Sequence, residues 1–247
     1  MRVALAVNQI TEGIERNKKK VLEMICLSVD NRTELILFPE AAVTGLINND
    51  DPVHDLRLGL PIPGKFTDSL CQLADRFNIH IGIGLLERES GKLFDTAVLI
   101  VPEKGIILKY RRITKGWHGK KADPEVYGHG DEIRVVKTRL GSFSFLICGD
   151  LFCDDLVQDV RRLGPDYLLF PFARSFEDGV IDQARWNREE KFVYAKRVES
   201  VGVATVMVNS FGIDGSFGGA MVVAPSGEIR FELDIGKDGI LFADLTW

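Results

Sequence analysis

The sequence predicts an α/β fold in which mixed β-sheets are covered by helices. Apolar strand-like segments alternate with amphipathic helical segments along the 247 residues. Several strands, such as "LILF", "YLLF" and "VATVMV", are apolar on both faces, which is typical of sheets covered on both sides. Hairpin patterns occur beside strand–helix units, which favours mixed sheets over purely parallel ones. We therefore expect a layered sandwich of sheets and helices.

The first part of the chain contains five predicted regions of secondary structure. In chain order they are a strand "RVALAVNQ", an amphipathic helix from about Ile14 to Val29, a buried strand "ELILFPE", a helix "GKFTDSLCQLADRFN", and consecutive strands from Ile79 to Arg112. Turns at Ser90-Gly91 and Lys104-Gly105 separate these last strands. The pattern of elements is that of a layered α/β protein.

The second part continues the pattern after a polar segment. Its predicted elements are the strands in "EIRVVKTRLGSFSFLIC", a helix around Leu156 to Leu163, a strand "YLLFPFA", a long helix from about Gln183 to Val201, a strand in "VATVMVNSFG", and the terminal hairpins "GGAMVVAPSGEIRFEL" and "GILFADL". No linker-like or low-complexity stretch interrupts the order, so we expect a single domain over residues 1–247.

Composition narrows the class of function. The net charge of −5 argues against a general nucleic-acid or membrane-surface role, and no apolar segment approaches the length of a membrane span. The N-terminus alternates like a strand and lacks a cleavage-site pattern, so we expect a cytoplasmic protein.

The four cysteines, Cys26, Cys71, Cys148 and Cys153, form no CxxC pair, which favours reduced thiols. Cys26 and Cys71 are predicted to lie in the core.

Polar or reactive residues follow three apolar strands directly. Glu40 ends "LILFPE", Cys148 ends "FSFLIC", and Arg174 ends "LLFPFAR". Strand ends of α/β folds are where ligands and catalytic groups gather. A cysteine at such a transition is placed for nucleophilic attack, with the N–H of Gly149 able to point into the same cavity and Glu40 as a candidate base. The residues alone allow a buried, inert Cys148 equally well, and for Glu40 they favour a carboxylate that only stabilises a helix start.

Five motifs together carry a resemblance to a known family. "LFPEAAVTG", "KYRRITK", "LICGDLFCDDL", "AKRVESVGVATVMVNSFG" and "GGAMVVAPSGEI" occur in the order and spacing of the carbon–nitrogen hydrolase (nitrilase) superfamily, amidase-like branch. The resemblance covers nearly the whole chain. It implies a four-layer αββα sandwich with two mixed sheets, a homodimer or higher homo-oligomer, and a small-molecule amide substrate. It implies no cofactor and no metal.

The resemblance also assigns roles to individual residues. Glu40 matches the general base and Cys148 matches the nucleophile of the family's Glu–Lys–Cys triad. Glu125, in "DPEVYGHG", resembles a second glutamate that positions the lysine. Gly149 is the expected oxyanion donor, and Arg174 is a candidate substrate-binding residue beside it.

The family's lysine is where this sequence departs from the pattern. The motif reads Tyr110, Arg111, Arg112, so an arginine stands at the lysine position. We expect Arg112 to supply the cation of the site, with Lys109 or Lys115 as alternative sources. An arginine supplies charge and donors, although it is bulkier and exchanges no proton near neutral pH.

Two other constellations are open to interpretation as a disulfide or a metal site. The spacing of Cys148 and Cys153 allows a disulfide, which a cytosolic chain disfavours. His118, His129 and Asp131 share one polar loop, but their spacing fits no metal-ligand motif and favours a solvated or pocket-lining loop.

The sequence therefore predicts a cysteine-dependent hydrolase of a non-peptide C–N bond that works through a thioester. Two alternatives remain. One is a catalytically impaired protein that keeps the fold for binding or assembly, because Arg112 replaces the family's lysine. The other is an amide or acyl transferase with the same nucleophile.

Overall fold

Two six-stranded mixed sheets form the centre of the molecule. The structure is a computed structural model and describes residues 1–246. The spatial order of the first sheet is β14 (Gly239–Asp244), β1 (Arg2–Val7), β3 (Leu35–Leu37), β4 (His80–Glu89), β5 (Lys92–Val101) and β6 (Gly105–Arg111). Strands β1, β3 and β4 run parallel, whereas β14, β5 and β6 pair with their neighbours in antiparallel fashion.

The second sheet repeats this mixture of strand directions. Its spatial order is β13 (Ile229–Leu233), β12 (Ala220–Val223), β10 (Ala204–Asn209), β9 (Tyr167–Phe172), β8 (Gly141–Phe145) and β7 (Val136–Thr138). Here β8, β9 and β10 are parallel and the outer pairings are antiparallel. A short parallel pair joins β2 (Gln9–Ile10) to β11 (Phe211–Gly212).

Helices cover the outer faces of both sheets. They are α1 (Ile14–Val29), α2 (Pro52–Asp55), α3 (Lys65–Phe77), α4 (Asp154–Leu163), α5 (Gln183–Arg185) and α6 (Lys191–Val201). The helix predicted from Gln183 to Val201 is interrupted by a π-helical turn, Trp186–Glu190. A 3₁₀ turn, Cys148–Phe152, follows β8. Among residues 1–246, no helix is long and apolar enough to cross a membrane.

The alternation of side chains along β1 shows how the layers are built. Val3, Leu5 and Val7 pack into the core shared with the second sheet, while Ala4 and Ala6 belong to the cluster under α1 and α3. Side chains of successive strand residues point to opposite faces, so one strand contributes to both interfaces. The α1/α3 layer, the two sheets and the α4/α6 layer form the predicted αββα sandwich.

The prediction that Cys26 is buried in the core is wrong. The buried face of α1 includes Met24, Ile25 and Ser28, and the side chain of Cys26 points away from it to solvent. Successive helical residues are about 100° apart, so the residue after Ile25 leaves the buried stripe. Cys71 is only partly buried.

Candidate active site

Cys148 occupies a strained position directly after a strand. Its φ of 46° lies in the left-handed region, which costs a non-glycine residue about 1–2 kcal/mol. The 3₁₀ turn that begins at Cys148 directs the chain away from the sheet, and the thiol is partly buried 3.7 Å from the carbonyl oxygen of Ala173. Such outliers cluster at functional sites because the surrounding structure must hold them in place.

Asp150 provides the contacts that hold this turn. Its buried carboxylate accepts hydrogen bonds from the N–H of Ile147 at 3.2 Å, the hydroxyl of Tyr110 at 2.7 Å and the N–H of Thr114 at 2.8 Å. Burial and the Asp150 carboxylate raise the pKa of Tyr110 well above its usual value, so this hydroxyl remains a donor. Asp150 therefore ties the cysteine turn to the end of β6.

Glu40 is fully buried beside the thiol, with one oxygen paired and one free. Its Oε1 accepts a hydrogen bond from Nη1 of Arg112 at 2.9 Å. Its Oε2 has no hydrogen-bond partner among the described residues. Burial, followed by the charge on Cys148, raises the pKa of Glu40 to about 8, and Arg112 opposes this shift. In its ionised form, Glu40 therefore offers an oxygen that can accept a proton.

The guanidinium of Arg112 lies between Glu40 and the cysteine turn. Only 4% of the Arg112 surface is exposed, and its Nε donates to the hydroxyl of Thr114 at 3.1 Å. A Cβ added to Gly149 would lie 2.6 Å from Nη2, and one added to Gly116 would lie 3.0 Å from it. The two glycines therefore make the space that this larger cation needs.

The other two candidate cations lie elsewhere. Lys109 donates to the buried carboxylate of Glu87 at 2.7 Å. The next residue of β6, Tyr110, points to the opposite face of the sheet, where it donates to Asp150. Lys115 is exposed. Arg112 is therefore the cation in contact with Glu40.

Glu125 does not lie where its predicted positioning role requires. It is exposed, and its backbone N–H donates to Asp123 at 2.9 Å. The second carboxyl beside Arg112 comes instead from β5, where Oδ2 of Asp95 lies 3.5 Å from Nη1. The N–H of Arg112 also donates to the backbone carbonyl of Asp95 at 2.8 Å. A lone carboxylate inside the apolar run "LFDTAVLIV" was the available sequence signal for Asp95.

A cavity of about 420 Å³ opens onto the thiol and contains Arg174 on its wall. The other lining residues are Cys148, Gly149, Phe152, Glu190, Val193 and Tyr194. Arg174 forms a bidentate pair with Glu190 through Nε at 2.8 Å and Nη2 at 2.6 Å. Because the π-helical turn carries Glu190, this turn determines where the Arg174 guanidinium lies.

The polar loop with its two histidines and the pair Cys148 and Cys153 are the two remaining constellations. His118 and His129 are neighbours, with their Nε2 atoms 3.2 Å apart. Within residues 1–246, no three His, Cys, Asp or Glu side chains are grouped so as to hold a metal ion. Cys148 and Cys153 are both free thiols.

The site thus combines a thiol, a buried carboxylate with one free oxygen, a fixed cation and a backbone N–H. Base, nucleophile and oxyanion donors of this kind are the groups that acyl transfer requires. They gather at the ends of β3, β6 and β8.

Comparison with known proteins gives the same class. The chain belongs to the carbon–nitrogen hydrolase family, whose sequence model matches residues 2–247. It is 26% identical over 216 residues to an (R)-stereoselective amidase of Pseudomonas sp, covering 84% of this chain and 71% of that protein. It is 25% identical to a deaminated glutathione amidase of Dictyostelium discoideum, covering 99% and 87%. The protein is therefore an enzyme of the amidase and nitrilase class.

Solved structures show the same fold. A carbon–nitrogen hydrolase from Helicobacter pylori G27 has a TM-score of 0.85 at 18% identity, covering 98% of this chain and 88% of the other. A variant of the amidase from Nesterenkonia sp. AN1 has a TM-score of 0.77 at 19% identity, covering 100% and 93%, and carries acrylamide added at its active-site cysteine. The predicted nitrilase-like architecture is confirmed.

Proposed function

We propose that this enzyme hydrolyses a small amide or carbamoyl substrate with Cys148 as the nucleophile. The observation that carries the proposal is the free Oε2 of buried Glu40, held beside the thiol by the contact of Oε1 with Arg112. The 420 Å³ cavity at the thiol suits a small molecule. The relatives named as amidases favour an amide over a nitrile.

Acylation begins with proton transfer from Sγ of Cys148 to Oε2 of Glu40. The thiolate forms a bond to the substrate carbon, and the electron pair of the C=O bond moves to oxygen. Arg112 and the N–H of Gly149 stabilise this oxyanion. When the intermediate collapses, Glu40 gives the proton to the leaving nitrogen, the C–N bond breaks, and a thioester remains on Cys148.

Deacylation uses the same groups in reverse order. Glu40 takes a proton from a water molecule, which attacks the thioester carbon. The oxyanion donors act again, the C–S bond breaks, and the sulfur regains its proton from Glu40. The products are a carboxylic acid (carbamic acid for a carbamoyl substrate) and the restored thiol.

Ammonia release from a panel of small amides tests this proposal. The wild-type enzyme should release ammonia, and Cys148→Ala should release none. Cys153→Ala is the matched control, because it removes a nearby free thiol outside the cavity lining. Release that persists in Cys148→Ala, at the rate of the wild-type enzyme, would overturn the assignment of the nucleophile.

The ion pair between Arg112 and Glu40 favours a second candidate function. An arginine keeps its charge and does not return a proton, so the pair could hold Glu40 as a structural partner in a binding or assembly protein. This alternative predicts saturable binding of an amide without ammonia release. Isothermal titration with the same panel of amides separates the two functions.

We further propose a single-domain, cytoplasmic protein that forms a homodimer or a larger homo-oligomer. One apolar core joins both sheets, which supports the single domain. Phe152, Phe192 and Val193 are large apolar side chains that are exposed near the cavity, and such patches are typical of protein interfaces. Light scattering of the wild-type protein and of Phe192→Ser tests the assembly, which requires the wild type to be larger than one chain.

A further inference from the structure

The charges around Glu40 do not balance when every carboxyl is ionised. Glu40 and Asp95 are both buried, and both contact Nη1 of the same arginine, at 2.9 and 3.5 Å. One guanidinium compensates one carboxylate, so two ionised carboxylates would leave a negative charge in the interior. A buried charge without a compensating partner strongly destabilises the folded state. The cluster of Glu40, Asp95 and Arg112 therefore holds one proton.

Neighbouring groups on the other elements do not supply the missing positive charge. Cys148 and Asp150, on the turn after β8, are themselves acids, and Tyr110 on β6 keeps its hydroxyl proton. Asp150 accepts three hydrogen bonds from donors other than Arg112, namely Ile147, Tyr110 and Thr114. The proton must accordingly reside on one of the two carboxyls that contact Arg112.

The contacts of Glu40 and Asp95 indicate which of the two carboxyls carries the proton. Glu40 has the shorter contact to Nη1, which favours its ionised form. No N–H or hydroxyl group within residues 1–246 donates to either side-chain oxygen of Asp95. The carboxyl of Asp95 is instead a hydrogen-bond partner of the Glu40 carboxyl, and such a contact requires a proton on one of the two. An ionised carboxylate only accepts, so a buried one without donors is the less stable place for a charge. Burial, followed by the charge on Glu40, raises the pKa of Asp95 well above its usual value, which agrees with this assignment.

We propose that Asp95 is a positioning residue that stays protonated while Glu40 ionises, so that a neutral carboxylic acid supports the base beside Arg112. This inference rests on the proposed role of Glu40 as the base. It explains how a glutamate paired with a permanent cation remains available to the thiol. With the proton on Asp95, Glu40 is the one carboxylate whose charge Arg112 compensates, although both carboxyls contact Nη1. Oε2 of Glu40 stays available to Cys148.

Infrared spectroscopy of the whole protein detects the proton on Asp95 and does not depend on catalytic turnover. A protonated carboxylic acid has a carbonyl stretch that an ionised carboxylate lacks. At pH 9, a pH above the pKa of about 8 of Glu40, one such band should remain in the wild type. Asp95→Asn should remove it. Glu87→Gln is the matched control, since Glu87 is an equally buried carboxylate that Lys109 and Arg111 pair, and this variant should keep the band.

The pH dependence of Cys148 alkylation gives a second readout. If Asp95 is protonated, Asp95→Asn exchanges one neutral group for another. The pH midpoint of Cys148 alkylation should then stay within about 0.5 pH unit of the wild-type midpoint, while the alkylation rate falls by up to about tenfold. With Asp95 ionised, the same change should lower the midpoint by about one unit or more. The larger shift, or the absence of the band in wild type at pH 9, would overturn the proposal.

The variants keep this test separate from the test of the proposed function. If Asp95→Asn does not fold, labelling the wild-type protein with aspartate that carries ¹³C in its side-chain carboxyl decides the matter, because the isotope shifts the band of an aspartic acid and leaves that of a glutamic acid in place. A band at pH 9 that the label does not shift also overturns the proposal. An enzyme that releases no ammonia but shows the Asp95 band would refute the proposed function and leave the protonation of Asp95 intact.

Discussion

Nη1 of Arg112 lies 2.9 Å from Oε1 of Glu40, at the position where the family resemblance led us to expect a lysine. The guanidinium also contacts Thr114 and Asp95, and it occupies the space that a Cβ at Gly149 would need. Such a network fixes both the cation and the base before substrate arrives, which is the condition for electrostatic stabilisation of an oxyanion.

Replacement of the arginine by lysine should therefore reduce activity. Arg112→Lys keeps the charge but loses the contact with Thr114 and leaves the space beside Gly149 unfilled, so we expect kcat to fall about tenfold or more. Arg112→Gln removes the charge as well and should cost about 100- to 1000-fold. Steady-state ammonia release measures both. A gain in kcat for Arg112→Lys would contradict a site built around arginine.

Activity should increase with pH as Glu40 ionises. The pKa of Glu40 is raised to about 8, so the basic form is present above this value and is lost as the pH falls through it. The rate of Cys148 alkylation between pH 6 and 10 should therefore rise with a midpoint of about 8. Glu40→Gln should abolish this midpoint and lower the rate of alkylation across the range. A midpoint near the ordinary pKa of a glutamate would contradict the assignment.

Gly149 should accept no side chain. A Cβ at this position would lie 2.6 Å from Nη2 of Arg112, so Gly149→Ala should displace the guanidinium from the oxyanion site. We expect a loss of kcat of about 100-fold or more. Gly13→Ala is the control, because its Cβ would meet nothing closer than 3.5 Å. If kcat is the same for the two variants, Arg112 can shift its position without loss of activity, which would contradict this prediction.

Tyr110 should stabilise the cysteine turn through Asp150. Tyr110→Phe removes one donor from a buried carboxylate, at 2.7 Å in the native protein, and hydrogen bonds to charged groups contribute about 1.5–3 kcal/mol. We expect the free energy of unfolding in urea to fall by about this amount. Tyr167→Phe, a partly buried tyrosine with an ordinary ring contact to Phe143, should change it much less. An unchanged free energy of unfolding for Tyr110→Phe would contradict the anchoring role of Asp150.

The alternation of apolar residues was sufficient to predict most of the fold. The helix predicted from Ile14 to Val29 has these bounds in the structure, and the strands separated by Ser90-Gly91 and Lys104-Gly105 form β4, β5 and β6. The prediction for Cys26 was wrong because an amphipathic pattern shows that a helix has a buried stripe but does not show which residues lie just outside its edge.

The site was only partly predictable, because motifs identify residues at strand ends but not side chains that reach the site from a neighbouring strand. Glu40 and Cys148 could be identified from their positions after apolar strands. Asp95 comes from within the β5 run, where no motif identified it, whereas the loose motif pointed to Glu125, which occupies an exposed loop. Only the pairing of β5 with β6 brings Asp95 to Arg112.

Limiting iodoacetamide followed by mass spectrometry tests the central claim most directly, because the chain provides its own comparison. Cys26 is the exposed thiol, whereas Cys148 is partly buried. Accessibility alone predicts that Cys26 reacts first. A nucleophile activated by Glu40 predicts that Cys148 reacts first, and that Glu40→Gln reverses the order. Modification of Cys26 before Cys148 in the wild-type protein would contradict the account.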